Sequence, residues 1–406
     1  MLTENNIVNF LDINNYDVRK NNNGRWIDQK CTPDVVSIVA DCVWQYITDS
    51  KNSELFSSVD IWHYKYTEEN IRDIFSKPST EHEFSRNEYD KFFAQPLEML
   101  ANANILGKSK RGNKNIYFVN NIDILEYISI RERNSLRFIS LYCEKVLKDS
   151  DMWEVFADFF KQQTQESYFH MKDSFESFTI KNTPINGKTE IRRIFTKIVN
   201  PLAYTRKKCG TIRGRMSKNP ITYSNLMYNH ENFRDINHDK PKGMSRKEWD
   251  RQHKNKVNIE YFKYQSSKAK RYLRKFNTQF RCGKSEVDDE YAVGMATQIH
   301  HIFPEHQYPE ISMFLENLIA LTPTQHMTKA HPMNNTRRID IEYQEVLLKA
   351  KAGSIEENLF DSEVDTIYNF DKFIEILNIG FKTNYKVREN DFTTVMTIIN
   401  NYYSRI

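Results

Sequence analysis

Two adjacent histidines, His300 and His301, close a strand-like run at the start of QIHHIFPEHQYPEISMFLENLIALTPTQHMTKAH, residues 298–331. Asn317 follows sixteen residues after His301, and His326 nine residues after Asn317. Tyr291 to Phe303 is rich in small and β-branched residues, and Leu318 to Leu321 is a short apolar run. Both read as strands. Thr322-Pro323-Thr324-Gln325 then opens a helix, with Thr322 as N-cap, Pro323 in the first turn and Gln325 completing a capping box. Strand, strand and helix within about 40 residues place His326 in the first helical turn.

The residue types suit phosphodiester hydrolysis. A neutral imidazole near pH 7 can take a proton from water. A divalent metal can stabilise the developing charge and the leaving oxygen. Neighbouring strand residues point to opposite sides, so a His-His pair sends one ring to metal and the other to water. A second ligand then has to arrive from elsewhere, and the asparagine amide can tie down the intervening loop. The competing reading is a set of packing histidines, or a zinc-stapled fold without catalysis.

The His-His, Asn, His pattern resembles the HNH nucleases, the ββα-metal fingers. HHIFP, ENLIALTPTQH, and KAHP followed by NNT resemble bacterial type II restriction endonucleases of the HNH class, over about a quarter of the chain. The resemblance implies His300 and His326 as metal ligands and His301 as general base. It implies that Asn317 orients His301 through the loop. The cofactor it implies is Mg²⁺, with Mn²⁺, Ni²⁺ or zinc as alternatives because imidazole is softer than the oxygen shell Mg²⁺ prefers. Some HNH toxins carry a further histidine four residues into the helix; here that position is Ala330, and His331 comes one later. Five α-helical residues turn about 140° away from the starting face, so His331 reads as a phosphate contact or a helix-end histidine. Lys329 reads as a phosphate contact or a solvated lysine.

Charge is unevenly spread. The net charge of +4 conceals 27 Lys+Arg against 7 Asp+Glu in residues 181–285, and a surplus of acid elsewhere. Such a block is an electrostatic footprint for nucleic acid. Arg206, Lys207, Lys208, Arg213, Arg215 and Lys218 make one cluster; Lys268, Lys270, Arg271, Arg274 and Lys275 make a second on a predicted helix. Backbone neutralisation by such residues supplies most non-specific DNA affinity. A solvated basic surface is the alternative.

The fold class expected is α+β, mainly helical. The organisation expected is an N-terminal helical segment (1–50), a winged-helix-like domain (51–135), a helical scaffold (136–180), the basic DNA-binding region (181–285), the catalytic finger (286–340) and a helical C-terminal region (341–406). The winged-helix reading rests on a helix from Tyr89 running into the basic turn GKSKRGNKNIYFV. Phe138, Trp153, Phe156, Phe159 and Phe160 read as core. GRWIDQK is a basic-aromatic loop; its Asp28-Gln29-Lys30 resembles a carboxylate–lysine nuclease site but lacks the full acidic pattern. Asp288, Asp289 and Glu290 read as a turn, or as help for the metal. Asn334 and Asn335 are candidate base or backbone contacts.

No run of about 18 apolar residues occurs, and the N-terminus lacks a basic, then apolar, leader. Five scattered cysteines without a CxxC pair fit a reducing bacterial cytoplasm and argue against a zinc ribbon. The function expected is that of a sequence-specific restriction endonuclease, cutting double-stranded DNA as a homodimer with one metal per site. The alternatives are a modification-dependent or phage-type HNH endonuclease, and a non-catalytic winged-helix DNA-binding regulator.

Overall fold

The computed structural model describes residues 2–49, 54–75, 86–228, 244, 259–331, 340–361 and 364–404. It is mainly helical, 62% helix, with small two-stranded antiparallel sheets. The α+β, mainly helical expectation holds at that level. The chain separates into two compact units, Leu2–Lys254 and Asn255–Ile406. Asn334 and Asn335 lie outside the described residues, as does most of 229–258 in the basic block.

In the N-terminal unit the Pro33–Thr48 helix is the central element. It starts with proline in its first turn and buries eleven consecutive residues, from Pro33 to Val43. The helices Ile122–Ile130 and Glu132–Asp149 pack on it. Short helices Ser58–Trp62 and Lys65–Phe75 precede the Arg86–Asn102 helix, which leads into a hairpin of β1 (Leu106–Arg111) and β2 (Lys114–Val119). Gly112 at the hairpin tip has φ +62°, the position that a two-residue loop reserves for glycine. Phe56 adds a bridge to Tyr117. Lys108 on the hairpin is ion-paired with Glu98 at 2.7 Å.

The helices Trp153–Gln162, Gln165–Asn182 and Lys188–Thr205 follow. Phe138, Phe156, Phe159 and Phe160 are buried, as their helical spacing predicts. Trp153 is not: it is partly exposed, with the Arg206 guanidinium 5.0 Å and the Lys148 amine 5.6 Å from its ring. A second small hairpin joins β3 (Thr211–Ile212) to β4 (Arg215–Met216).

In the C-terminal unit the Ile259–Phe280 helix packs against an antiparallel pair, β5 (Gln298–His301) and β6 (Leu318–Leu321). The register pairs His300 with Ile319 and His301 with Leu318. β6 falls where the sequence placed it. β5 is shorter than the run from Tyr291 to Phe303, because residues 285–297 bend back along the pair. There Glu286 donates its N–H to Ala320 and accepts from the Ala320 N–H, at 3.0 and 2.9 Å. The helices Ile341–Phe360, Phe370–Phe381 and Phe392–Tyr403 complete the unit. At its centre the Lys351 amine lies 2.6 Å from the Glu286 carboxylate, with both side chains at 1% exposure or less.

Candidate metal centre

The end of β5 and the turn after β6 build the site. β6 runs into Thr322, whose hydroxyl accepts from the Gln325 N–H at 3.2 Å and donates to the Tyr291 carbonyl at 2.8 Å. The Gln325 side chain accepts from the Thr322 N–H, closing the capping box that the sequence predicts. Gln325 also donates to Val287 and Asp289, and Tyr343 donates to Asp289. Asp289 is therefore a brace for the turn, which fixes where the following residues point.

Pro323–Gln325 is one α-helical turn, and His326–Ala330 continues as a π-helix. The wider π turn changes what lies on one face. His331 was expected off the face of His326 by α-helical geometry; it instead lies beside it, with ring centroids 4.7 Å apart. The His300 ring is 5.2 Å from His326 and 4.8 Å from His331. One ligating nitrogen from each of the three falls within 4.8 Å of the others. Single π turns recur at functional sites because they re-aim a side chain without ending the helix.

These donors fit a divalent ion. His300 is 5% exposed, and its Nε2 is buried without a hydrogen-bond partner. A buried polar atom left unpaired is costly, and a ligand relieves that cost. Burial, reinforced by the neighbouring histidines and Lys270, holds the His300 pKa well below its ordinary value. Burial, His331 and Lys270 lower that of His326. Both rings therefore stay neutral near pH 7, the form that binds metal.

His301 faces the other side of the strand, as the alternation predicts. Its Nε2 lies 3.1 Å from the Ser312 carbonyl and 3.0 Å from the Ser266 hydroxyl. A carbonyl only accepts, so that hydrogen bond places the proton on Nε2 and leaves the Nδ1 lone pair free. Burial and then Lys270 push the His301 pKa down to about 3, against the opposing effect of its hydrogen bond to the Ser312 carbonyl. Asn317 is fully buried and ties the loop between the strands. Its Oδ1 accepts from the Phe303 N–H at 2.8 Å, and its Nδ2 donates to the carbonyls of Phe303 and Ile311 at 3.0 and 3.3 Å. That loop carries Ser312, so Asn317 and His301 are linked through it.

An open cleft of about 870 Å³ exposes the three histidines and His301, with Lys270, Glu305 and His306 on its walls. Lys270 was singled out from sequence only as one of a basic row. Burial lowers its pKa against the opposing charge of Glu305. Ser266 was not singled out at all; a serine one helical turn before Lys270 gives no signal until the helix is docked on β5.

The other basic residues divide. Arg213, Arg215 and Lys218 are exposed around the β3–β4 hairpin, and Arg274 and Lys275 are exposed on their helix. Lys207 is exposed, and Lys208 and Arg271 are partly so. Two depart from an open basic row. Arg206 is ion-paired with Glu144, with its guanidinium 5.0 Å from the Trp153 ring and 5.4 Å from that of Phe160. Lys268 is 4% exposed, with its amine 5.0 Å from the Tyr264 ring. Lys329 is partly exposed, its amine 4.8 Å from the Tyr291 ring.

No family model, no curated protein and no solved structure matches this chain. The function is therefore argued from the site itself. Among the described residues, no helix is long and apolar enough to cross a membrane.

Proposed function

We propose that this protein is a metal-dependent HNH-type endonuclease that hydrolyses phosphodiester bonds of double-stranded DNA. The observation that carries the reading is the convergence of His300, His326 and His331 beside a separately held His301, in one cleft. A purely structural metal site needs the three ligands. It does not need a fourth imidazole, kept neutral and oriented through a carbonyl, on the opposite face of the same strand.

His300, His326 and His331 would hold the ion. When bound, it supplies Lewis-acid stabilisation of the phosphorane-like charge and of the leaving oxygen. His301 takes a proton from water at Nδ1 while Ser312 and Ser266 hold Nε2. The resulting hydroxide attacks phosphorus, and the bond from phosphorus to the leaving oxygen breaks. Lys270 reaches the same cleft as a cation for the substrate phosphate. Three imidazoles favour Mn²⁺, Ni²⁺ or zinc over Mg²⁺, because hard Mg²⁺ prefers oxygen ligands. That modifies the Mg²⁺ preference drawn from the resemblance.

The N-terminal unit supplies a reader in this account. The order of short helices, the Arg86–Asn102 helix and a hairpin tipped by Lys110, Arg111 and Lys114 supports a winged-helix-like module. The exposed Arg213, Arg215 and Lys218 support backbone contact. Specific cutting of both strands calls for two active sites, hence a homodimer.

The test is digestion of unmethylated and methylated phage DNA with Mn²⁺, Ni²⁺, Zn²⁺ or Mg²⁺, using His301→Ala and a chelator as controls. Discrete fragments lost in both controls support a sequence-specific nuclease. DNA binding without cleavage under every condition would overturn the enzyme reading and favour a regulator with a metal-stapled finger.

A further inference from the structure

A second polar cavity lies in the N-terminal unit, within a region that the proposed chemistry does not use. Its volume is about 480 Å³, and Lys30, Lys197 and Arg213 line it with Thr196, Ser224 and Asn225. Among the described residues, three cations and several neutral donors line this space, and no carboxylate does. Such a lining repels metal ions and attracts anions.

Each cation is held by a different element. Lys197 projects from the Lys188–Thr205 helix and makes no hydrogen bond or ion pair among the described residues. Burial lowers its pKa, opposed by the charge of Asp34. Both Asp34 oxygens accept from the Tyr228 N–H, at 3.0 and 2.9 Å. The Lys30 amine donates to the Tyr228 hydroxyl at 3.0 Å and lies 4.7 Å from that ring.

Arg213 is placed by the β3–β4 turn. The register of Ile212 with Arg215 leaves a two-residue loop, and both Arg213 (φ +52°) and Gly214 (φ +76°) are left-handed. Arginine is an uncommon choice for the first of these positions, where Asn, Asp or Gly is favoured. The hairpin is pinned rather than loose. The buried Asn200 amide brackets Thr211, accepting from its N–H at 2.8 Å and donating to its carbonyl at 3.0 Å. Three cations that would repel one another thus line one space from three separate elements.

We propose that this cavity is a phosphate-binding site, taking a phosphate of the DNA backbone. The choice of DNA over a free phosphate rests on the nuclease reading above; the phosphate chemistry does not. Lys197 contributes a cation with no hydrogen bond or ion pair among the described residues, Arg213 a planar pair of donors suited to phosphate oxygens, and Thr196, Ser224 and Asn225 neutral donors.

The experiment uses the full chain with EDTA, so that neither metal nor cleavage enters. Lysines are reductively ¹³C-methylated, and the Lys197 resonance is assigned by its loss in Lys197→Arg. Inorganic phosphate and a short duplex are titrated separately. DNA affinity is then measured against salt for wild type, Lys197→Gln and Lys197→Arg, after thermal melts confirm that the variants fold. The expected result is a saturable shift of the Lys197 signal with duplex. With it, the slope of log affinity against log salt should fall by about 0.9 in Lys197→Gln, and Lys197→Arg should keep the wild-type slope. A saturable shift with phosphate but an unchanged DNA slope keeps the phosphate site and overturns the backbone as its source. No shift with either ligand overturns the site. Loss of cleavage activity plays no part in these readouts, so failure of the nuclease reading would be seen separately.

Discussion

The ring of His331 stands 4.7 Å from that of His326, five residues earlier in the chain. In an α-helix that spacing points away from the shared face; in the π turn of His326–Ala330 it converges on His300. The third imidazole of the candidate centre therefore depends on one turn of unusual helix.

His331→Ala should weaken binding of Zn²⁺ or Mn²⁺ by at least about tenfold, as should His326→Ala. Loss of one of three ligands costs no less than the 10–100-fold typical of losing a ligand's supporting partner. Isothermal titration with each metal checks this. Wild-type affinity in His331→Ala would restore His331 to a role outside the metal site.

Asn317→Ala should destabilise the chain by about 2–4 kcal/mol, since it removes three hydrogen bonds and takes from the buried Phe303 N–H and carbonyl the partners that Asn317 gives them. Urea midpoints give the answer. A change within experimental error would mean that the loop between β5 and β6 is held by other contacts.

The metal-free chain should lose stability as pH falls from 7 toward 5. His300, His301 and His326 are all held below the ordinary histidine pKa in the folded protein. The unfolded chain takes up their protons near pH 6.5 while the folded chain does not, so stability is greatest above that value and declines below it. Denaturation at pH 7, 6 and 5 tests the sign. His301→Asn, which removes one such group, should flatten the decline.

The Lys351–Glu286 pair, buried at the centre of the C-terminal unit, makes a different prediction. Lys351→Met alone leaves a buried carboxylate without its partner and should cost about 3–5 kcal/mol. Replacing Glu286 with Gln in the same chain should recover part of that loss. Equal stability of the single and double variants would show that the Glu286 charge is not what Lys351 compensates.

What could be read from the sequence was local. Leu318–Leu321 and the Thr322–Gln325 cap are set by apolar run length and by side chains bonding within three residues, so both fell where they were placed. The burial of Asn317 against the loop also follows from its position between the strands. The position of His331 beside His326 is not legible from a 3.6-residue period, because the turn there is wider. Arg206 and Lys268 looked like members of open basic rows. The partner of Arg206 is 62 residues away in the sequence, and Lys268 is buried on the packed side of its helix. Ser266 reaches His301 only because the Ile259–Phe280 helix docks on β5, a long-range event with no periodic signal.

The most direct measurement is cleavage of duplex DNA by wild type and His301→Ala, both loaded with Mn²⁺ and shown by titration to bind it equally. The account predicts that wild type cuts, and that His301→Ala binds metal and DNA but cuts at least about 100-fold more slowly, as loss of a general base requires. Equal cutting by the two proteins would contradict the assignment of His301. No cutting by either, with metal and DNA both bound, would contradict the nuclease itself.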